Sequence, residues 1–332
     1  MLFLFSLIFT RLETLGSPHL VPDETEMYFY PSRIVDHGGM VFGKIDNEYT
    51  GGVVLFREEL GALAITMWDK HSEDMDLDSM DFPFYPIIDI QAGKTISENM
   101  DFGLGFHYSG YYRENEEEEI NVILFSPRIG FSWFTGEEFR VDLAAKASFI
   151  NAEATDLVNG YVRKYVGSYP VEINLRGTWN KTTFSSILYG LFRIRDLRVE
   201  RETGALVDTV NSSSMVGGGG FGITIGRYGG FLSIAGVEGV FGDEKNLCLF
   251  TGAEVPVRRF LFFRFSAKGR MEWGEEGLEY TTIASTGFRF LFEDLSLDFA
   301  VRTPVLLSPG MLFEGCETVF SSLSIIYNFG GF

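Results

Sequence analysis

Hydrophobic and polar residues alternate along most of the chain, from about residue 38 to the C-terminus. In residues 139–149 every odd-numbered position is apolar, whereas the even-numbered positions include Arg140, Asp142 and Lys146. Successive side chains of a β-strand point to opposite faces of a sheet, so this period of two predicts strands with one apolar and one polar face. The same period recurs in several later segments: 171–179, 261–271 and 295–302.

The lengths of these runs and of their connections indicate the class of sheet. Runs of about 10 to 16 residues exceed the roughly five or six of an ordinary strand and suffice to cross a bilayer at a tilt. Short connections, such as 135–138 and 179–182, alternate with long polar ones, such as 69–82, 113–119, 151–168 and 195–214. Short turns at one end and long loops at the other are typical of outer-membrane barrels. We therefore predict an all-β fold, a closed antiparallel transmembrane β-barrel of about 14 to 16 strands with an N-terminal plug-like segment.

The chain divides into three predicted regions. Residues 1–16 begin with the apolar run MLFLFSLIFT, which is similar to the core of a secretory signal, and a buried N-terminal helix is the alternative. Residues 17–37 precede the alternating pattern and are predicted to lie in or below the barrel as a plug, or in the periplasm. Residues 38–332 are predicted to form the barrel. No apolar stretch of about 18 residues occurs, so no membrane-spanning helix is predicted.

The last residues predict how the barrel closes. Leu323, Ile325 and Tyr327 occupy alternate positions before the C-terminal Phe332. Every backbone polar group in hydrocarbon needs a partner, so the final strand is expected to pair with the first. This strand resembles the C-terminal recognition signal of bacterial outer-membrane barrels, which implies recognition by the barrel-assembly machinery. Counting back in twos from Phe332 gives the opposite register, which a bulge at Gly330 would correct.

Two segments carry a resemblance to a known superfamily. Residues 87–112, IIDIQAGKTISENMDFGLGFHYSGYY, combine a strand, a short polar turn and a strand that begins near GLG. Residues 21–33, VPDETEMYFYPSR, place Asp23, Tyr28 and Pro31 in the order of an N-terminal plug segment. Both segments resemble the long-chain fatty-acid transporter-like (FadL-like) barrels, a superfamily that includes the PorV-type secretion barrels.

The resemblance to FadL-like barrels implies a location in the bacterial cell outer membrane, among outer-membrane lipids. It also implies passive transport of small hydrophobic or amphipathic solutes. A non-transport scaffold for secretion partners, as in PorV-type barrels, is the alternative.

Composition and charge narrow the function further. Aromatic residues reach 15%, and 38 glycines against 10 prolines favour strands and tight turns over helices. The net charge of -19 argues against nucleic acid as a partner, because phosphate binding needs a basic face. Cys248 and Cys316 are far apart and no CxxC or His cluster accompanies them. The sequence therefore predicts neither a disulfide framework nor a zinc site, and no cofactor.

Basic side chains on the polar faces are predicted to line the lumen. The polar faces carry fewer acids, among them Asp142, Glu172 and Asp298. Two interpretations remain open: a path for anionic solutes, or a lattice of ion pairs across strands and with an acidic plug. The predicted basic lining residues are Arg140, Lys146, Arg176, Arg264, Lys268, Arg270, Arg289 and Arg302.

One short segment contains the residue types of a hydrolytic triad. His107, Ser109 and Asn121 lie in GFHYSGYYRENEEEEIN, which resembles the triad of outer-membrane phospholipase A. Phe106 and Tyr108 belong to the apolar face, so His107 and Ser109 are predicted to line the lumen and not to reach lipid. We predict that the protein is not an enzyme, with lipid hydrolysis through Ser109 as a second alternative.

Acidic residues cluster in two predicted loops. Carboxylates at alternate positions suit a hard cation such as calcium, so divalent cations are predicted partners of a negative outer rim. No dedicated metal site is predicted, because the glycine and the closing glutamate of a calcium loop are missing. The acidic residues are Asp74, Asp76, Asp78, Asp81, Glu114 and 116–119.

A glycine-rich stretch formally matches a dinucleotide-binding pattern. Gly217, Gly219 and Gly222 have the spacing of Gly-x-Gly-x-x-Gly. A dinucleotide site needs a helix after the glycines, whereas the next residues alternate as a strand does. We predict a strand here.

Overall fold

Nearly all of the described chain belongs to one closed antiparallel sheet. The computed structural model describes residues 26–45, 49–68, 87–115, 118–136, 138–158, 161–168, 171–203, 206–226, 230–242, 245–274, 277–301 and 320–330. The sheet has 18 strands, each pairs antiparallel with its neighbours, and the last pairs with the first. The strands are β1 (Met40–Ile45), β2 (Tyr49–Arg57), β3 (Gly61–Trp68), β4 (Ile87–Ser97), β5 (Met100–Glu114), β6 (Glu118–Thr135), β7 (Phe139–Ala147), β8 (Phe149–Asp156), β9 (Tyr161–Ser168), β10 (Val171–Lys181), β11 (Phe184–Thr203), β12 (Leu206–Gly226), β13 (Leu232–Gly242), β14 (Asn246–Arg258), β15 (Leu261–Gly274), β16 (Gly277–Phe292), β17 (Leu295–Val301) and β18 (Phe320–Asn328).

Two pairs of consecutive strands each count as one strand of the barrel, because both members of the pair lie along the same neighbouring strand. Both β7 and β8 pair with β6, and both β9 and β10 pair with β11. Ser148 separates β7 from β8, and its buried hydroxyl accepts a hydrogen bond from Ser126 at 2.8 Å. Counted this way the barrel has 16 strands, so the prediction of about 14 to 16 is confirmed at its upper value.

The two ends of the barrel differ. At one end, called the turn end, five pairs of consecutive strands are joined by turns of two or three described residues: 58–60, 98–99, 182–183, 259–260 and 293–294. The start of β1 and the end of β18 also lie at the turn end, because Met40 pairs with Asn328. In an antiparallel barrel with an even number of strands, the start of the first strand and the end of the last strand must lie at the same end. The opposite end is called the loop end, and the connections 69–86 and 302–319 there lie outside the described residues.

Three segments predicted as long polar loops are largely strand. Residues 113–119, 151–168 and 195–214 fall mostly in the β5–β6, β8–β9 and β11–β12 hairpins. Outside hydrocarbon a strand can carry polar residues on both faces while its backbone pairing continues. Loss of hydrophobic alternation therefore does not mark where these strands end.

The two faces of the sheet have inverted polarity compared with a soluble protein. On β10, Leu175 is 50% exposed and the next residue, Arg176, is 1% exposed. Large apolar side chains cover the outside because their solvent there is hydrocarbon. Exposed aromatic side chains lie near both ends of the strands, as in interfacial girdles: Trp133, Phe139, Trp179, Phe260, Phe292 and Tyr327 at the turn end, and Tyr112, Phe241, Trp273 and Tyr280 towards the loop end.

The final strand places its apolar series on the outside. Ile325 and Tyr327 are 39% and 48% exposed, whereas Ser324 and Ile326 are buried. Gly330 has a φ of 73°, a left-handed conformation that interrupts the strand just after Asn328. The terminal Phe332 lies outside the described residues.

A short helical segment precedes β1 and lies against the inward face of the sheet. It consists of a helix α1 (Glu26–Phe29) and a 3₁₀ helix (Pro31–Asp36), and residues 26–37 are called the inner segment below. The hydroxyl of Tyr28 lies 2.9 Å from that of Thr66. Residues 1–25, including the predicted signal-like region, are outside the described residues, and no helix in the described part of the chain has the length and apolar character of a membrane-crossing one.

Apolar packing fixes the inner segment against one part of the wall. The 3₁₀ helix contacts β3, β4, β5 and β6 near the turn end. Met27 and Ile34 are fully buried in a cluster with Met40, Phe42 and Val54 from β1 and β2. Burial of these side chains gives the segment its own small hydrophobic core inside the barrel.

Candidate functional site

The beginning of the inner segment is held by buried ion pairs to β10 and β7. Glu26 accepts hydrogen bonds from Arg176 Nη1 at 3.0 Å and from Arg33 Nε at 2.5 Å. Arg176 also donates from Nη2 to Asp142 Oδ2 at 2.7 Å. The side chains of Glu26, Arg176 and Asp142 are at most 1% exposed. Removing one partner of such a buried pair typically costs about 3 to 5 kcal/mol, because the other charge stays buried.

The end of the inner segment is held by Arg140 of β7. Arg140 donates from Nη1 to Asp36 Oδ2 at 2.8 Å and from Nε to Asp142 Oδ1 at 2.7 Å. Its guanidinium carbon also lies 4.3 Å from the centroid of the Phe134 ring. Asp142 therefore bridges Arg140 and Arg176, so a single carboxylate of the wall connects the anchors at both ends of the segment.

The two carboxyl groups of the inner segment respond differently to their surroundings. Burial tends to raise the pKa of Glu26, but the guanidinium groups of Arg176 and Arg33 outweigh burial and hold this pKa below its ordinary value. For Asp36 burial prevails over the neighbouring cations Arg33 and His37, and the pKa is raised. Glu26 is therefore the more firmly ionised of the two.

A second polar cluster ties the segment to β4, β5 and β6. Asp89 lies 2.5 Å from His107 Nδ1, accepts a hydrogen bond from Gln91 Nε2 at 2.8 Å, and forms an ion pair with Arg128. Arg128 Nη1 in turn donates to the backbone oxygen of Tyr28 at 2.9 Å. These charges lie inside the barrel, where the neighbouring strands supply their partners.

The residue types of the hydrolytic triad do not converge. His107 and Ser109 are 2% and 0% exposed on the inward face of β5. Asn121 is exposed on β6 and lies opposite Tyr112, whereas His107 lies opposite Ser126. Asp89, and not Asn121, is the partner of His107, so a triad oriented by Asn121 is not formed.

A third cluster crosses β14, β15 and β17 on the other side of the barrel. Arg264 is 0% exposed and donates from Nε to Glu254 Oε2 at 2.6 Å. It also forms an ion pair with Asp298. Arg264 is thus flanked by acids of β14 and β17, an arrangement that avoids an unpaired buried charge.

The remaining predicted lining residues are placed as follows. Lys268 Nζ donates to Glu238 Oε1 at 3.0 Å, Arg270 pairs with Glu272 at 2.5 Å, and Arg289 Nε donates to Ser296 Oγ at 2.9 Å. Lys146 of β7 lies directly opposite Glu172 of β10. Arg302 lies outside the described residues.

These contacts favour one of the two interpretations of the basic residues. Alternation in the sequence predicts three inward acids beside these bases: Asp142, Glu172 and Asp298. Other acids of the strands also occupy inward positions, but their pairings depend on which strands become neighbours. The lattice of ion pairs, with contacts to acids of the inner segment, accounts for the described bases without a solute. The acids not assigned from the sequence are Glu26, Asp36, Asp89, Asp101, Glu238 and Glu254.

A cavity remains beside the inner segment at the turn end. It has a volume of about 360 Å³ and lies between Glu26 and Arg33 of the segment and the turn-end parts of β10 to β13. Thr178, Thr224 and Leu232 are inward wall residues of this cavity, and the turn 182–183 contributes Thr182. The inner segment therefore packs on one side of the lumen and leaves space on the other. The remaining lining residues are Arg140, Arg176, Asn180, Lys181, Phe184, Ser185 and Gly226.

Metal binding finds no support within the described ranges. No group of three or more His, Cys, Asp or Glu side chains there could hold a metal ion. Asp74, Asp76, Asp78 and Asp81 lie in 69–86, outside those ranges, so weak cation binding by the acidic loops stays a prediction. The glycine pattern at 217–222 is strand β12, as predicted.

Comparison with known proteins supports the fold. No protein-family profile matches the sequence, and no curated protein sequence is similar to it. The solved CymD monoaromatic hydrocarbon channel superimposes with a TM-score of 0.57 at 11% identity, over 97% of this chain and 98% of that one. The alcaligin outer membrane receptor FauA from Bordetella pertussis gives a TM-score of 0.53 at 7% identity, over 79% of this chain and 50% of FauA. At these identities the likeness concerns the fold alone, and it confirms a closed antiparallel β-barrel.

Proposed function

We propose that this barrel is an outer-membrane channel for passive transport of small hydrophobic or amphipathic solutes. The observation that carries the proposal is the lumen itself: an inner segment narrows it at the turn end, yet a cavity of about 360 Å³ remains there. The fold shared with CymD, which is described as a monoaromatic hydrocarbon channel, supports the same class of solute.

The inner segment acts as a plug that restricts the lumen. Its carboxylates are held by Arg140 and Arg176, and its backbone by Arg128. These bases therefore position the plug, and the proposal does not require them to attract an anionic solute. The location follows from the exposed apolar belt, which needs a membrane, and from the final strand, through which the assembly machinery is proposed to recognise the chain.

Solute flux tests the proposal directly. The purified chain is reconstituted in vesicles whose outer leaflet is lipopolysaccharide, and the initial uptake rate of radiolabelled benzyl alcohol is measured. A chain lacking residues 1–37 is compared with the full chain and with empty vesicles. We expect uptake above that of empty vesicles for the full chain and a higher rate for the shortened one.

A rate equal to that of empty vesicles for both chains contradicts transport. That result would favour the scaffold alternative, which predicts a stable protein partner in a pull-down from the outer membrane. Enzymatic activity is not proposed. Phospholipid hydrolysis by the wild-type chain that disappears in Ser109→Ala would overturn this part of the proposal.

A further inference from the structure

We infer that solutes leave the barrel through a fixed opening beside the inner segment, along β10 to β13, while the segment stays docked. This inference rests on the proposed transport function and identifies where transport ends. It assigns the cavity of about 360 Å³ as the exit site for amphipathic solutes.

The docking of the inner segment is one-sided. The 3₁₀ helix packs on β3 to β6, and Ser32 Oγ lies 2.7 Å from Ser132 Oγ of β6. The cavity lies on the opposite side, where its walls are Thr178 of β10, Thr224 of β12 and Leu232 at the start of β13. The turn 182–183 also lines it, so the cavity reaches the turn end of the barrel.

Undocking of the inner segment would cost more free energy than passage of a solute through the existing cavity. Moving the segment away would leave Arg176 and Arg140 without Glu26 and Asp36 in a buried site. It would also expose Met27 and Ile34, which are fully buried. A path that leaves these contacts intact avoids both losses.

The surfaces along this side suit an amphipathic solute. Next to the cavity, towards the loop end, the inward face carries the apolar cluster of Ile187, Leu232, Ile234 and Phe250, with Tyr189 packed against it. The cavity adds hydroxyl groups of Thr178, Ser185 and Thr224 and the guanidinium group of Arg33. An apolar body can therefore contact the cluster while a hydroxyl or carbonyl group finds hydrogen-bond partners in the cavity.

A cross-link tests whether the segment must move. The chain carries Ser32→Cys and Ser132→Cys in a background with Cys248→Ser and Cys316→Ser, and the close approach of the two serine hydroxyls favours a disulfide. Mass spectrometry verifies the cross-link, and benzyl alcohol uptake is measured in oxidised and reduced forms. We expect equal rates. Loss of uptake in the oxidised form alone, with uptake retained on reduction, overturns the inference.

Filling the cavity tests the route. Thr224→Trp places an indole ring in the cavity, and we expect a loss of about fivefold in uptake rate because protein interiors leave little spare volume. Ile225→Trp is the matched control, since Ile225 is the next residue of β12 and points outwards with 54% exposure. Thr178→Met narrows the same space if the larger variant does not fold. Unchanged uptake in both cavity variants overturns the route, whereas absence of uptake in the wild type overturns the transport function itself.

Discussion

At the scale of single residues, several carboxylates inside this barrel each form ion pairs with two basic side chains. Asp142 joins Arg140 to Arg176, and Glu26 joins Arg176 to Arg33. Charges of this kind are stable inside a protein only when each has a partner, so the network depends on every member. Arg140 and Arg176 hold the inner segment, so their presence in the lumen does not indicate a path for anions.

Glu26→Gln tests this network. The substitution keeps the shape of the side chain but removes the charge that faces Arg176 and Arg33, and we expect a loss of about 3 to 5 kcal/mol in the docking of the inner segment. Limited proteolysis with mass spectrometry measures how fast residues 26–37 are cleaved. Glu138→Gln is the control, since the side chain of Glu138 accepts an exposed hydrogen bond from Trp179 and lies outside the buried network, and this substitution should change little. Equal cleavage rates for the two variants contradict the role of Glu26.

The same carboxyl predicts a pH dependence. The pKa of Glu26 is lower in the folded chain than its ordinary 4.5, so its stabilising contribution is complete above about pH 4.5 and is lost as the pH falls through the lowered value. Asp36 has a raised pKa, so its contribution becomes more favourable as the pH falls. Cleavage of the inner segment by pepsin should therefore depend more steeply on pH below 4.5 in the wild type than in Glu26→Gln. Identical profiles would rule out Glu26 as the titrating group.

At the scale of elements, the inner segment docks where the wall lacks side chains. A Cβ atom added at Gly103 of β5 would overlap the carbonyl group of Pro31, and one at Gly130 of β6 would lie 2.9 Å from Pro31 Cδ. The glycines of β5 and β6 thus provide the surface on which the 3₁₀ helix rests. The alternation of β5 and β6 can be predicted from the sequence. The sequence does not show that the 3₁₀ helix packs on the glycines of these strands.

Gly103→Val tests this docking surface. We expect the side chain to displace the 3₁₀ helix while the barrel itself still forms, since valine is favourable in strands. The inner segment should become sensitive to protease, and benzyl alcohol uptake should rise towards that of the chain without residues 1–37. Gly177→Val is the control, because a Cβ there meets no atom within 4 Å. Continued protection of the segment in Gly103→Val would contradict the proposed surface.

At the scale of the whole molecule, the barrel is stable only if hydrocarbon is the solvent of its outer face. Closure of β18 on β1 leaves no edge in the described part of the sheet near the turn end. The exposed apolar side chains would promote aggregation in water, whereas contact with hydrocarbon is favourable for them.

A charge on the outer face tests the membrane environment. Leu175→Lys places an ammonium group on the apolar belt, and we expect a loss of about 2 to 4 kcal/mol in the free energy of unfolding from lipid vesicles. Leu60→Lys is the control, because Leu60 is 70% exposed in the turn 58–60, outside the sheet. Urea unfolding followed by tryptophan fluorescence measures both variants. Equal stabilities would mean that Leu175 does not face hydrocarbon.

Periodicity predicted the barrel and most of its strands, because inward and outward side chains alternate along a strand and differ in polarity. It failed for 151–168 and 195–214, where the strands continue although the alternation of apolar and polar residues is lost. The interruption at Ser148 was not predicted, because Ser148 lies on a polar position of the alternation in 139–149 and leaves that pattern unbroken.

The sequence by itself determined which faces of the strands are apolar and that the final strand must close the sheet. These features depend on local pattern and on the need of every backbone group for a partner in hydrocarbon. Only the tertiary structure decided which acid pairs with which base, and that Glu26 and Asp36 reach Arg176 and Arg140 across more than 100 positions of sequence. Closure of the barrel brings these residues together. No local pattern of residues records which strands pair in the sheet or which of them the inner segment contacts.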